Sequence, residues 1–363
     1  MEDTFNKRFA RQVVNIALRI TEGENVYIST LRDALDLAEA IALECTYIGA
    51  KPLITTVSDE YLTRALVEPK EVYVESTPKH QLEAVGASDV YIGIGKPALS
   101  AVPMSRIGAW RRSRKPIGDR MDEKGTRWVA IAYPTENRAK EVGIPFMKLK
   151  SAILSALDID YSKLGEKGHQ LTELLTDSDE VHLTSPHGTD LVFSAKDRKW
   201  IVDDGVISEE DVEMGDVGLN LPCGEVFVCP REDSANGTAF FDVPSNYYGH
   251  RVNQLRLEFK QGRVIEYDAE EGRDDFENVL NSATGDKDRI GEFAIGLNPR
   301  ASFVADILVD EKVLGSVHIA LGNNKGPAYG GQNDSSIHWD FVMTKPTVVV
   351  DGEILIEDGQ IKI

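Results

Sequence analysis

The chain has few cysteines and no long apolar run, and each absence excludes a class of protein. Only Cys45, Cys223 and Cys229 occur in 363 residues, and an odd, small number in a long chain argues against a disulfide framework. No apolar stretch reaches the roughly 18 residues that suggest a membrane span. The N-terminus lacks the apolar segment and the small-residue cleavage site of a secretory signal. We therefore expect a cytoplasmic protein without a membrane partner.

Basic residues are outnumbered as well. Lys and Arg total 40 against 60 Asp and Glu, which gives a formal net charge of −20 at pH 7. Such a surface repels nucleic acids and anionic lipids, because phosphate contacts need clustered Lys and Arg. The densest basic run, Arg111 to Lys115, is predicted to be a solvated turn, with a contact to a substrate carboxylate or a partner subunit as the alternative. We expect no nucleic-acid partner.

The first half of the chain alternates between helical and strand patterns. A length of 363 residues accommodates two domains. Strands that alternate with helices predict βαβ units and a mostly parallel sheet, hence an α/β N-terminal domain. The strand patterns are at 25–28, 52–57, 89–94 and 128–132, and helical patterns include 9–20 and 34–49.

The second half has short β-rich segments that are separated by Gly, Asp and Asn. These patterns predict an α+β C-terminal domain with a mostly antiparallel sheet and a helix near 275–281. We place the two domains at residues 1–170 and 171–363. The β-rich segments are 181–184, 190–194, 225–228, 254–259 and 264–267.

Two histidines lie in strand patterns where metal ligands are expected. His338 and Asp340 are two residues apart, and side chains at i and i+2 of a strand share a face. An imidazole and a carboxylate can thus converge on one divalent ion, although a simple His–Asp pair is the alternative. His318 lies in an apolar strand, where its ring nitrogens need partners, and these can be a metal or a carbonyl group.

Two glutamates also occur in apolar strand patterns. Glu225 and Glu292 each follow a glycine, which allows close approach of the backbone. Buried carboxylates are usually paired or bound to metal, while a solvent-facing strand position is the alternative for each one taken alone. With the two histidines and Asp340 they supply enough ligands for two divalent ions. Mixed carboxylate and imidazole ligation suits zinc, cobalt or manganese.

Further polar groups lie near these segments. Asp310 and Glu311 precede His318, and a glycine-rich loop with Tyr329 separates the two histidine strands. Loops of this kind often shape a substrate pocket. The Tyr329 hydroxyl could donate a hydrogen bond to an oxyanion, or its ring could simply pack on the domain.

In these segments the chain resembles the aminopeptidase T and aminopeptidase S family of metallopeptidases. The resemblance covers roughly residues 185 to 345, in the order of the family. Departures are the seven-residue separation of Glu311 and His318 and the longer segment before Tyr329. The matching pieces are Gly224–Phe227, Gly262–Val264, Glu270–Gly272, Gly291–Gly296, Asp310–Glu311, His318–Gly322, Gly331–Asn333, Ser335 and His338–Asp340.

The resemblance implies a cytoplasmic homodimer that removes N-terminal residues from peptides. It implies two divalent ions (zinc, cobalt, manganese or magnesium) and hydrolysis through a metal-bridging hydroxide. It also implies Glu311 as an acid/base and Tyr329 as an oxyanion donor. The implied metal ligands are Glu225, Glu292, His318, His338 and Asp340.

Two alternatives remain open on the same residues. A ring-cleaving dioxygenase of the dihydroxypyridine type resembles this family and needs one iron, which His318, His338 and Asp340 could bind. We expect such an enzyme to carry His near the position of Glu292, so that the glutamate favours two metals and hydrolysis. The second alternative is a non-catalytic relative.

Overall fold

The fold was obtained as a computed structural model that describes residues 2–326 and 328–362. The chain divides into two compact units. One contains the residues up to Ile153 together with Gly205–Leu221, and the other contains Leu154–Asp204 and the residues from Pro222 onward. The two domains predicted from the sequence, residues 1–170 and 171–363, stay a prediction.

The first unit contains a five-stranded, wholly parallel sheet in the order β2-β1-β3-β4-β8. Four of its strands confirm the predicted α/β character of the first half. The fifth, β8, comes from the second half of the chain and was not predicted. The strands are β1 (Asn25–Leu31), β2 (Lys51–Val57), β3 (Val90–Ile94), β4 (Arg127–Ile131) and β8 (Gly218–Leu221).

Helices connect these strands, and none within residues 2–326 and 328–362 is long and apolar enough to cross a membrane. A π-helical turn at Val13–Ala17 follows the first helix, and a 3-10 turn at Arg32–Ala34 precedes the second. The helices are α1 (Glu2–Gln12), α2 (Leu35–Tyr47), α3 (Asp59–Val67), α4 (Glu71–Val74), α5 (Lys79–Gly86), α6 (Met104–Lys124), α7 (Glu136–Val142), α8 (Phe146–Leu157) and α10 (Glu209–Met214).

The solvated turn predicted at Arg111–Lys115 was wrong, because this run lies inside α6. Its charges are accommodated by helical neighbours and by the adjacent helix. Lys115 pairs with Asp119 one turn away at 2.7 Å, and Arg114 donates to Gln81 of α5. Ion pairs at i and i+4 support a helix, which a count of basic residues does not reveal.

The second unit contains two antiparallel sheets, as predicted for the C-terminal half. The larger has nine strands in the order β11-β12-β10-β6-β5-β17-β18-β19, with β13 also paired to β12. Its strands are β5 (Glu180–Thr184), β6 (Asp190–Ser194), β10 (Asn236–Phe241), β11 (Ser245–Tyr247), β12 (His250–Lys260), β13 (Arg263–Glu271), β17 (Thr347–Val350), β18 (Glu353–Glu357) and β19 (Gln360–Ile361).

The smaller sheet carries the predicted metal ligands and has the order β16-β15-β14-β9-β7. Its strands are β7 (Ile201–Asp203), β9 (Glu225–Val228), β14 (Ile290–Gly296), β15 (Val317–Gly322) and β16 (His338–Met343). The helices of this unit are α9 (Tyr161–Leu175), α11 (Arg273–Ser282) and α12 (Ile307–Asp310).

An aromatic cluster fixes which face of β16 is buried in the core. The rings of Trp339 and Phe341 lie 4.7 Å apart, and Phe276 of α11 lies within 5.8 Å of both. Because side chains alternate along a strand, packing these aromatic rings on one face directs His338 and Asp340 to the other.

Gly296, at the end of β14, lets another segment of backbone cross the sheet. A Cβ placed on Gly296 would lie 2.2 Å from the carbonyl oxygen of Val313 and 2.9 Å from the carbonyl carbon of Lys312. The Asn298 amide donates to the Lys312 carbonyl at 2.8 Å, and the Gly296 amide donates to Ser316 at 3.0 Å. The segment from residue 310 to 316 therefore lies against the ligand-bearing face.

We expect Gly296→Ala to lower the free energy of unfolding by about 1–3 kcal/mol, because the added methyl group overlaps the Val313 backbone. Urea unfolding followed by circular dichroism measures the change. Gly118→Ala is the matched control, since a Cβ at this position of α6 meets nothing within 4 Å and alanine is favoured in helices by up to about 1 kcal/mol. Equal stability of Gly296→Ala and wild type would contradict the packing described.

Candidate metal centre

The register of the smaller sheet brings three predicted ligands to one face of three adjacent strands. His338 and Asp340 of β16 share a face because they are two residues apart. Asp340 is paired with Ala320 of β15, and Ala320 is paired on its other side with Glu292 of β14. Directly paired residues in an antiparallel sheet lie on the same face. Strand pairing thus aligns the three ligands around a small alanine side chain.

The same face continues to the other edge of the sheet. His318 lies two residues before Ala320 on β15 and is paired with Ala294 of β14. Gly296 lies two residues after Ala294 on β14 and is paired with Glu225 of β9. Glu225 is paired in turn with Asp203 of β7. All five predicted ligands and Asp203 therefore share one face, and the residues between them are small enough to leave room for ions.

Glu292 stands between the two histidines. His318 Nε2 lies 3.1 Å from Glu292 Oε1 and 3.6 Å from Glu225 Oε2. His338 Nε2 lies 3.7 Å from Glu292 Oε2 and 3.1 Å from Asp340 Oδ1. Each carboxylate oxygen of Glu292 thus faces a different imidazole, as a bridging ligand requires.

Donor atoms within 4.8 Å of one another form three groups among the described residues: Glu225, Glu292 and His318; Glu292, His338 and Asp340; and Glu311, His318 and Asp340. Sequence reasoning named all six of these residues. The structure brings them together, and their individual roles stay predictions.

Several buried atoms of this cluster lack a hydrogen-bond partner within the part of the chain described. They include Glu225 Oε2 and His318 Nδ1. Glu225 is only 6% exposed, which removes the solvent-facing alternative for this residue. An unpaired buried carboxylate oxygen is costly, and a cation relieves that cost. The Glu225 oxygen without a hydrogen bond therefore fits a site for a divalent ion.

His338 is oriented through its second ring nitrogen. Nδ1 donates to the carbonyl oxygen of Asn323 at 2.7 Å, which leaves Nε2 free to face the carboxylates. Metal-binding histidines commonly use their other nitrogen in this way. The contact also connects His338 to the loop that separates β15 and β16.

Lys312 is a buried residue of this cluster that sequence reasoning missed. Its side chain is fully buried, and Nζ pairs with Glu225 Oε1, with Glu311 Oε1 at 3.0 Å and with Asp203 Oδ2 at 3.3 Å. Burial opposes the charge, but the three carboxylates outweigh it and raise the pKa of Lys312 well above its usual range. A lysine beside an Asp–Glu pair in the otherwise apolar run from Val309 to Leu314 was the available signal.

Glu311 lies at the C-terminal end of α12, is 5% exposed, and reaches the cluster formed by His318 and Asp340. Burial raises the pKa of Glu311, against the opposing effect of Lys312. A raised pKa brings a carboxyl group closer to the range in which it serves as a general acid or base. The seven-residue separation from His318 therefore does not keep Glu311 out of the cluster.

The loop between β15 and β16 is closed at its base by two buried asparagines. Asn333 donates its backbone amide to Asn324 Oδ1 at 2.8 Å, and Asn324 Nδ2 donates to the Gly291 carbonyl at 3.0 Å. Within this loop, the ring of Tyr329 lies 5.6 Å from that of Phe227, at an angle of 70°. Phe227 is two residues from Glu225 on β9, so Tyr329 lies on the Glu225 side of the face.

Both histidines are held in the charged form when no metal is bound. The carboxylates outweigh the effect of burial and raise the pKa of His318 to about 9, with Glu292 as the main partner. They raise the pKa of His338 to about 10, with Asp340 as the main partner. A metal ion must therefore displace protons from this site.

The sequence matches the pattern of the family described as thermophilic metalloprotease (M29) over residues 3–362. Among curated proteins, it is 26% identical to aminopeptidase T of Thermus aquaticus, with 97% of this chain and 95% of the relative covered. It is 25% identical to aminopeptidase 2 of Geobacillus stearothermophilus, with 97% and 94% covered.

Two solved structures have a similar fold. Wild-type AmpT from Thermus thermophilus aligns with a TM-score of 0.79 at 20% identity and covers both chains fully. The 2,5-dihydroxypyridine dioxygenase from Pseudomonas putida KT2440 aligns with a TM-score of 0.65 at 16% identity and covers 100% of this chain and 98% of the other. These likenesses establish the fold.

We expect the affinity for manganese to rise by about tenfold per pH unit or more between about pH 6 and about pH 9. Both imidazoles are protonated below about pH 9, because the pKa of His318 is about 9 and that of His338 is about 10. Binding therefore releases protons, and it releases fewer as the pH approaches these values. Calorimetric titration in two buffers of different ionisation enthalpy measures both quantities. A pH-independent affinity without proton release would rule out this protonation state.

Proposed function

The chain belongs to the thermophilic metalloprotease family M29, and from this premise we infer that it is a metallo-aminopeptidase that removes N-terminal residues from peptides. The family match extends over nearly the whole chain, and relatives that are 25–26% identical over their length are named aminopeptidases. The structural observation that carries the inference is Glu292, with one carboxylate oxygen toward each histidine.

We propose two divalent ions, with Glu292 as the ligand they share. Glu225 and His318 complete one donor set, and His338 and Asp340 complete the other, as the two groups of neighbouring donor atoms suggest. Zinc, cobalt, manganese and magnesium are the candidate ions, and the mixed imidazole and carboxylate ligands favour the first three. When bound, such ions polarise a peptide carbonyl and lower the pKa of water.

The protein's own groups supply the proton transfer. We propose that Glu311 takes a proton from the attacking water and passes it to the amine that leaves, since its buried carboxyl group has a raised pKa and lies beside His318 and Asp340. The hydroxyl group of Tyr329 is proposed to donate a hydrogen bond to the carbonyl oxygen as it gains charge.

Selection of the peptide's first residue is proposed to depend on its free amine. The carboxylates of Glu225, Glu292 and Asp340 on the sheet face and that of Glu311 beside them surround the proposed ion positions. An ammonium or amine group is attracted by this negative charge or coordinates one ion. An internal stretch of peptide lacks that group, which favours exopeptidase action.

The dioxygenase alternative is not favoured. His318, His338 and Asp340 alone could hold one iron, but Glu292 lies between the two histidines and Glu225 lies beside one of them. Both glutamates would be superfluous for a single ion with two histidines and one carboxylate. The fold shared with the dioxygenase does not decide between the two reactions.

We also propose a cytoplasmic homodimer, which the resemblance to the aminopeptidase T and S family implies. Light scattering at micromolar concentration measures the mass in solution, against 40.1 kDa for one chain.

We expect the metal-reconstituted protein to release p-nitroaniline from Leu-p-nitroanilide and not from its N-acetyl derivative, because acetylation removes the free amine. Absorbance at the p-nitroaniline band measures both reactions with cobalt, zinc, manganese or magnesium. Equal hydrolysis of both substrates would contradict the assignment as an aminopeptidase. The absence of turnover with all four metals would contradict the assignment as a peptidase.

We expect Glu292→Gln to lower kcat/KM by about 100-fold or more, since loss of a ligand charge weakens both donor sets. Bound metal per chain, measured by atomic emission after dialysis, should fall as well. Glu266→Gln, on the exposed side of β13, is the matched control and should change neither quantity. Unchanged metal content in Glu292→Gln would show that the ligand assignment is wrong.

A further inference from the structure

A buried ammonium group touches only one end of the candidate metal centre. Lys312 Nζ pairs with Glu225 Oε1, while Glu225 Oε2 lies 3.6 Å from His318 Nε2 and has no hydrogen bond within the described residues. Glu225 therefore faces the buried lysine with one oxygen and the candidate ion position with the other.

The other donor set has no such contact. The ion pairs of Lys312 within the described part of the chain are with Glu225, Glu311 and Asp203. His338 and Asp340 pair with each other at 3.1 Å. The two proposed ion positions thus share Glu292 and differ in whether one of their ligands is paired with the buried lysine.

We infer that Lys312 makes the two ion positions unequal, so that the position at Glu225 and His318 binds its ion more weakly than the position at His338 and Asp340. This inference rests on the proposed pair of donor sets around Glu292. It assigns to Lys312 the part of a positioning residue that sets the order in which the ions enter and leave.

Two physical effects of Lys312 act in the same direction. Its ammonium group repels a divalent cation at the neighbouring oxygen of Glu225, and the protein interior screens that repulsion weakly. It also neutralises the buried carboxylates when no metal is present, so that an incoming ion relieves less electrostatic strain. Removing Lys312 should therefore tighten binding at the Glu225 position and destabilise the metal-free protein.

Asp203 provides an independent test with the opposite sign. It is paired with Glu225 across β7 and β9, and its carboxylate lies 3.3 Å from Lys312 Nζ. It is absent from the groups of donor atoms that could hold an ion. Without its charge, more of the positive charge of Lys312 acts on Glu225, so that Asp203→Asn should weaken binding at that position.

The experiment is a calorimetric titration of the metal-free full-length protein with manganese, which resolves a stronger and a weaker binding step. For Lys312→Met we expect the weaker step to tighten by about tenfold or more and the stronger step to change by less than about threefold. The melting temperature should fall in the metal-free variant and recover with saturating manganese. For Asp203→Asn we expect the weaker step to weaken by about threefold or more.

Lys312→Arg preserves the charge and should keep two unequal steps, while Lys260→Met, at an exposed position of β12, is the control for loss of a lysine charge and should leave both steps unchanged. If Lys312→Met does not fold, the sign of the change in affinity in Asp203→Asn decides.

Equal affinities of the two binding steps in wild type, or a Lys312→Met effect confined to the stronger step, overturn the inference. Binding of one ion only overturns it together with the two-ion assignment. Unequal steps that respond as described, in a protein without peptidase activity, leave the inference intact and reject the proposed function.

Discussion

The centre depends on balancing the charge of carboxylates that strand pairing forces together on a buried face. Glu225, Glu292 and Asp340 are aligned by the register of four strands, Asp203 adds a further charge from the edge strand, and Glu311 arrives on the segment that crosses Gly296. Isolated, these charges would be strongly destabilising. Two protonated imidazoles and one buried ammonium group offset them in the metal-free protein, and the Glu225 oxygen that remains without a hydrogen bond is where a cation fits. The register of the sheet therefore determines which carboxylates meet, and their charge determines both the protonation of the histidines and the affinity for metal ions.

Sequence reasoning succeeded where the relevant information is local. The spacing of His338 and Asp340 placed both on one strand face, and the strand patterns of each half indicated a parallel sheet followed by antiparallel ones. It failed where distant segments meet. The short strand β8 joins the parallel sheet from beyond residue 200, and nothing in its own four residues identifies its partner. Lys312 and Asp203 were missed for the same reason, since each looks like an ordinary surface charge until the fold buries it.

The comparison with known proteins identifies the family, whereas the geometry of the candidate metal centre bears on the reaction. The family match over residues 3–362 establishes membership in the metalloprotease family, and the relatives at 25–26% identity are named aminopeptidases. The fold alone would not have chosen a reaction, because a dioxygenase structure aligns with a TM-score of 0.65. In the proposed function Glu292 separates the two chemistries, because each of its two carboxylate oxygens faces a different imidazole.

The loop between β15 and β16 is attached to the sheet by two asparagines that are not among the proposed metal ligands. Asn324 and Asn333 pair with each other at its base and hold it to the start of β14, next to Glu292. Between the two asparagines the loop is also held by Arg198, which donates to the Gly330 carbonyl, and by Glu232, which accepts from the Gln332 amide. Changes of the residues between these two asparagines that keep Tyr329 would therefore alter the surroundings of the substrate while the metal ligands on the sheet stay the same.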